Sequence, residues 1–177
     1  LADFIHPEAD WLGGFAVQAG EGIDEQLARF KAAHDDYNDI LLKALADRLA
    51  EAFAEYLHER VRREIWGHEQ GNRMSNEDLI RERYTGIRPA PGYPACPEHS
   101  LKRRLFDLMQ VETRAGITLT DSFAMLPTAA VSGFYFAHPE SAYFGVARVG
   151  EDQLEDYAQR LGVSRERAVQ LLRPNLD

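Results

Sequence analysis

The segment Arg88-Pro89-Ala90-Pro91-Gly92-Tyr93-Pro94-Ala95-Cys96-Pro97-Glu98-His99 restricts what this chain can fold into more than any other. Four prolines in the ten residues 88–97 make it a loop rather than a helix or a strand. Each proline fixes its own φ and holds the residue before it extended, so Arg88 stands on a stiff, nearly extended segment. Prolines donate no N–H, which leaves the donors of Ala90, Gly92, Tyr93 and their neighbours. Gly92 permits a positive φ or the close approach of a ligand to the backbone. So stiff a loop loses little entropy on binding. It offers one fixed cation, one aromatic ring and a few defined backbone groups, which suits a small zwitterion with a flat base. A proline-rich linker would be flanked by polar, low-complexity sequence. Here a charged helical segment precedes and an apolar-patterned one follows, which favours a rigid loop inside one domain.

At 177 residues the chain is long enough for one domain with a sizeable core, and its 45% hydrophobic content indicates a globular fold. The net charge of −9 argues against a general nucleic-acid binder. Lys102-Arg103-Arg104 is read as a solvated helix face. Cys96 is the single cysteine, so no intrachain disulfide can form, which suits a reducing, cytoplasmic setting. No apolar run reaches membrane-spanning length and no signal peptide opens the chain.

Residues 15–19 read as a short strand ended by Gly20-Glu21-Gly22. Asp24 is a candidate N-cap for a long helix to about Trp66, broken near Asp35-Asp36. Along it Leu27, Phe30, Tyr37, Leu41, Leu45, Leu49, Phe53 and Tyr56 recur at three- and four-residue steps, which predicts the buried stripe. Ser75 with Asp78 resembles a capping box for a short helix to about Tyr84. After the proline loop a helix opens at Pro97 and runs to about Leu108. Residues 117–125, 131–137 and 143–149 are rich in β-branched and aromatic side chains and read as an antiparallel meander. Two short helices, at 151–161 and 164–172, close the chain. Strands clustered apart from helices indicate an α+β fold. No G-x-G-x-x-G follows a strand, which disfavours a Rossmann-type methyltransferase.

Several charged residues stand out. Arg48, Glu51 and Glu55 lie within or beside the predicted buried stripe, and buried charges are paired. The commoner arrangement is an Arg–Glu network tying helix to sheet; the alternative is that Glu51 reaches a ligand pocket. Glu82 lies six residues before Arg88, and by itself reads as a solvated helix end. Tyr143 and Phe144 alone read as sheet core. His58, Cys96, His99 and His138 do not form a credible metal site, since Cys96 and His99 are one half-site without a second pair.

The proline run resembles the S-adenosylmethionine (AdoMet) loop of the activation domain of cobalamin-dependent methionine synthase. The resemblance reaches back through residues 44–58 (ALADRLAEAFAEYLH) and 80–84 (IRERY). It continues through 122–125 (SFAM), 131–133 (VSG), His138-Pro139 and Tyr143-Phe144, covering nearly the whole chain. It implies that Arg88 holds the methionine carboxylate and that backbone groups of Ala90 and Gly92 read the adenine or ribose. Tyr93 would pack near the methyl group, Tyr143 and Phe144 would complete the nucleoside pocket, and Glu51 and Glu82 would face the cationic sulfonium.

The resemblance further implies a reactivating methyltransferase function: reductive methylation of cob(II)alamin with AdoMet as methyl donor. The cobalamin would be held by a separate upstream module, and the electron would come from a flavodoxin or a flavin reductase. Glu51, Glu82 and Tyr93 are then expected to position the methyl group rather than to shuttle protons. Family members bind the AdoMet amino group with an aspartate from an earlier segment. In the family the activation domain begins well before the point matching Leu1, so residues 1–177 are expected to be roughly the C-terminal half of one activation domain, with an incomplete pocket and no activity alone. The alternatives are a docking module for flavodoxin and the cobalamin domain, and a stand-alone reactivation protein for another corrinoid methyltransferase.

Overall fold

The computed structural model describes residues 1–176. Strand β1 (Gly13–Gln18) pairs antiparallel with β4 (Ala130–Tyr135), with Phe15 opposite Gly133 and Val17 opposite Val131. Helices α1 (Asp24–Ala32) and α2 (Asp36–Arg60) follow β1, and α2 lies across both strands. His34 takes a left-handed φ of 53° and Asp35 caps α2 by accepting from the Asn38 N–H at 3.1 Å. The break thus falls at residues 33–35, where the sequence placed it. Asp24 is the first helical residue rather than the cap, which is Ile23. There its charge still complements the helix dipole. The last turn of α2 widens into a π-turn, Val61–Ile65.

The face that α2 turns to the sheet differs from the predicted one. Ala46, Ala50, Ala54 and His58, spaced by four residues, are the buried positions. Tyr37, Leu41, Leu45, Leu49, Phe53 and Tyr56 are exposed, Leu49 by 61% and Tyr37 by 75%. The reason is volume. Phe15 and Tyr135 stack with ring centroids 4.7 Å apart and fill the space above the sheet, so only alanines let the helix backbone approach. The large apolar side chains are left on the flanks and outer side of α2.

The α+β class with antiparallel strands holds, but the strands are not one meander. The segment at 130–135 pairs with β1 from the far end of the chain. The segment before it folds on itself as a small hairpin of β2 (Thr118–Leu119) and β3 (Met125–Leu126). Residues 143–149 form no strand. Val146 donates to Pro94 O at 2.8 Å and Val149 to Asn175 O at 2.9 Å, so those N–H groups join loops rather than a ladder.

Helix α3 (Asn76–Ile80) is capped by Ser75, whose hydroxyl accepts from the Asp78 N–H at 3.2 Å. It stops short of Tyr84 because Glu82 is left-handed and the Arg83 N–H turns back to Asp78 O at 3.0 Å. Helix α4 (Leu101–Met109) begins later than Pro97, because the Glu98 carboxylate holds both the N–H and the hydroxyl of Ser100. A left-handed Gln110 separates it from α5 (Val111–Ala115). Helices α6 (Glu151–Leu161) and α7 (Arg165–Leu172) pack on each other through Leu154, Ala158, Ala168 and Leu172.

The proline loop begins as an extension of the sheet. Ile87 and Phe136 exchange two backbone hydrogen bonds of 3.0 Å, and Phe134 donates to Pro89 O at 2.9 Å. This contact requires Gly133, because a Cβ there would stand 2.6 Å from the Pro89 carbonyl oxygen. Gly133→Ala is expected to push the loop off β4 and to lower stability by about 1–3 kcal/mol, read from the urea unfolding midpoint.

Candidate functional site

A cavity of about 290 Å³ opens where the proline loop faces α2. The loop supplies Arg88, Ala90 and Tyr93, α2 supplies Glu51, and the turn after α3 supplies Glu82. Tyr143 and Phe144 close another side, over a floor of Phe15 and Val131. Its size is close to the lower end of small-molecule sites, about 300–1,000 Å³. A larger hollow of about 570 Å³, lined by Asp24, Lys43 and Pro127 among others, gathers no such convergence of opposite charges and aromatic rings.

Gly92 is the one candidate that does not line this cavity. It borders a smaller hollow with His99 and Lys102. Its φ is +103°, and a Cβ there would meet the His99 ring at 2.2 Å, so any other residue would be strained and would have to displace that ring. The Gly92 N–H donates to Cys96 O at 2.7 Å and the Tyr93 N–H to Ala90 O at 3.1 Å. The loop thus uses for its own turn two of the donors that the sequence offered to a ligand.

Within the cavity the Tyr93 hydroxyl donates to Glu51 Oε1 at 3.4 Å. The Tyr143 hydroxyl accepts from the Arg88 N–H at 3.0 Å. Burial raises the pKa of Tyr93, as does the neighbouring Glu51 carboxylate, and burial raises that of Tyr143. Both rings therefore stay neutral near pH 7. Glu82 occupies a left-handed conformation, φ 52°, that costs a non-glycine residue roughly 1–2 kcal/mol.

The Arg88 side chain is tied to three partners behind the cavity. Its Nη1 donates to the Tyr84 hydroxyl at 2.8 Å and to His58 Nδ1 at 3.3 Å, and its Nη2 pairs with Glu55 Oε2 at 2.7 Å. Arg62, fully buried, lies beside this group. Its Nε donates to Glu69 at 2.7 Å and its guanidinium sits 3.8 Å from the Tyr84 ring centroid. The Arg–Glu network that the sequence suggested is therefore present with different members. Glu55 pairs with Arg88 and faces Arg62 at 3.8 Å, whereas Arg48 is exposed. Sequence reasoning missed Arg62, His58 and Tyr84. The available signal was the spacing of Glu55, His58 and Arg62, three and seven residues apart on one helical face.

His58 is stacked on Tyr135 at 5.2 Å and edge-on to Tyr84 at 5.1 Å. Burial, with Arg62 and Arg88 nearby, pushes its pKa down to about 2. The neutral ring is what Arg88 requires, since Nδ1 must accept. Burial likewise pushes the Cys96 thiol up to about 11, which leaves it unreactive near neutral pH. Among the described residues no three His, Cys, Asp or Glu side chains gather as metal ligands.

Two stability measurements test this geometry. Below its unfolded pKa, His58 binds a proton in the unfolded chain but not in the folded one, so stability falls as pH drops from about 6.5 toward 2. Compared with His58→Asn, the protein should lose up to about 1.4 kcal/mol more per pH unit between pH 6 and 4, read by urea unfolding at each pH. Glu82→Gly removes the left-handed strain and should raise stability by about 0.5–1 kcal/mol, read as an increased unfolding midpoint.

Two comparisons bear on these observations. Residues 1–162 match the family described as vitamin B12 dependent methionine synthase, activation domain. A crystal structure of the MetH reactivation domain bound to AdoHcy is similar over 99% of this chain and 55% of that one, with 56% identity and a TM-score of 0.95. The chain thus spans about half the length of that solved relative.

Proposed function

The chain belongs to the activation-domain family of vitamin B12-dependent methionine synthase, and from that premise we propose that its cavity binds AdoMet to reactivate an oxidised cobalamin. The observation that carries this reading is the meeting of one arginine, two carboxylates and four aromatic rings in a single cavity. AdoMet presents a carboxylate, a sulfonium cation and a flat adenine. Arg88 suits the carboxylate by a charge-assisted pair. Glu51 and Glu82 suit the sulfonium by Coulomb attraction, and Tyr93 adds cation–π attraction. Tyr143, Phe144 and the Ala90 backbone suit the nucleoside. The solved relative bound to AdoHcy supports the same ligand class.

When bound, AdoMet supplies an electrophilic methyl group for the reduced cobalt of a cobalamin held in a separate module. This chain's own work is to hold the sulfonium end beside Glu51, Glu82 and Tyr93 and to keep it oriented. Neither glutamate is assigned a proton. The partners in this reading are the cobalamin-binding module and a flavodoxin or flavin reductase.

We also propose that the chain acts as one portion of a longer activation domain. The large apolar residues exposed along α2 support this, because apolar side chains exposed in number on one element mark a surface that another segment covers. A preceding portion would cover that face and contribute the acidic group for the AdoMet amino end.

Calorimetric titration of AdoMet into this chain, and into a form extended upstream, tests both proposals. The expected result is tight binding by the extended form and weaker binding by the chain alone. Absence of binding by either would overturn the AdoMet reading in favour of a docking module. In the extended form Arg88→Ala should weaken AdoMet by about 10- to 100-fold, the range for a charged hydrogen bond. Unchanged affinity would remove Arg88 from the site.

A further inference from the structure

Arg88 reaches the cavity from a frame that the cavity does not contain. A guanidinium carries five N–H donors. The Tyr84 hydroxyl, His58 Nδ1 and Glu55 Oε2 take three of them, which leaves two for a ligand. Glu55 is the only charged partner of Arg88 among the described residues. Its other oxygen is 3.8 Å from Arg62 Nη1, beyond hydrogen-bond reach, and has no hydrogen-bond partner. The firm contact of Glu55 is therefore with Arg88, although the α2 side chain lining the cavity is Glu51, one turn earlier.

We propose that Glu55 is a positioning residue that fixes Arg88 to receive a ligand's carboxylate, with Tyr84 and His58 completing the frame. An arginine free to rotate would have to be ordered when the ligand arrived. Held in advance by an ion pair on one side, it presents its remaining donors without that loss. The planar fork of the guanidinium makes this orientation matter, as it would not for a lysine. Glu55 touches no ligand in this arrangement and acts only through Arg88. The inference rests on the AdoMet reading above and specifies which end of the ligand Glu51 and Glu55 each serve.

The test separates the carboxylate from the rest of the ligand. AdoMet and decarboxylated AdoMet are titrated calorimetrically into the full-length protein and into Arg88→Ala, Glu55→Gln and Tyr84→Phe. Glu55→Gln keeps the shape of the side chain and removes its charge. It is expected to weaken AdoMet about tenfold and to leave the decarboxylated ligand within about twofold. Tyr84→Phe keeps the ring under Arg62 and removes one hydrogen bond to Arg88. It should weaken AdoMet alone by roughly threefold to tenfold, and it decides the question if Glu55→Gln does not fold.

Equal losses for both ligands in Glu55→Gln would make Glu55 merely structural and overturn the proposal. Tighter AdoMet binding in Glu55→Gln would also overturn it, since Glu55 would then compete with the ligand for Arg88. If Arg88→Ala fails to distinguish the two ligands, the AdoMet reading itself falls. If Arg88→Ala distinguishes them and Glu55→Gln does not, only the positioning role of Glu55 falls.

Discussion

The approach of α2 to the β1–β4 pair governs the rest of this structure. Two strands alone bury too little to be stable in water. They need a cover, and the stacked rings of Phe15 and Tyr135 leave room only for alanine between sheet and helix. Once Ala46, Ala50 and Ala54 face the sheet, the 3.6-residue repeat fixes every other position on α2. Glu51 turns to the cavity and Glu55 and His58 to Arg88, and the π-turn that follows carries Arg62 to the interior behind Tyr84. The acidic side chains of the site are thus placed by residues that carry no charge. The other wall obeys an equally steric rule, since the proline loop reaches β4 only because Gly133 has no side chain.

Burying Arg62 is costly, and the structure offsets that cost only in part. Glu69 takes its Nε and the Tyr84 ring stacks beneath its guanidinium, while both terminal nitrogens lack a hydrogen-bond partner. Such an arrangement is weak evidence for stability, because desolvation can exceed the Coulomb gain. It is better explained by the constraint that it places on its neighbours. Burial foremost, and then the charges of Arg62 and Arg88, keep His58 from holding a proton near neutral pH, so it remains an acceptor for Arg88.

The elements legible in the sequence were those set by local chemistry. The helix break near Asp35, the Ser75 cap, the Ser164 cap of the last helix and the loop character of residues 88–97 all follow from side chain-to-backbone bonds or fixed torsions. The meander failed because strand pairing is non-local. Nothing in residues 130–135 states that their partner lies more than a hundred positions earlier. The apolar stripe of α2 failed for a related reason. Periodicity identifies apolar faces, but only packing volume decides which one meets the sheet, and here the smaller residues did. Arg88, Ala90, Tyr93, Glu51, Glu82, Tyr143 and Phe144, which the resemblance named as one set, line one cavity, whereas Gly92 does not. The frame behind Arg88 was missed because it combines α2, the turn before the loop and the loop itself.

The four acidic residues in and behind the cavity divide by what surrounds them. Glu55 lies between Arg88 and Arg62, and Glu69 pairs with both Arg62 and Arg63. Their charge is already shared between cations. Glu51 and Glu82 have no ion pair among the described residues, and Glu51 has only the weak contact with the neutral Tyr93 hydroxyl. A cation entering the cavity would therefore meet two carboxylates whose fields are not yet cancelled. Under the proposed function this asymmetry has a direct chemical consequence. The sulfonium of AdoMet carries a positive charge and the thioether left after methyl transfer carries none. The attraction of Glu51 and Glu82 for that atom therefore ends with the transfer, while the carboxylate contact at Arg88 is unchanged. Glu82 holds its place in a strained left-handed turn, and a charge needed at one point in space is a sufficient reason to tolerate that strain.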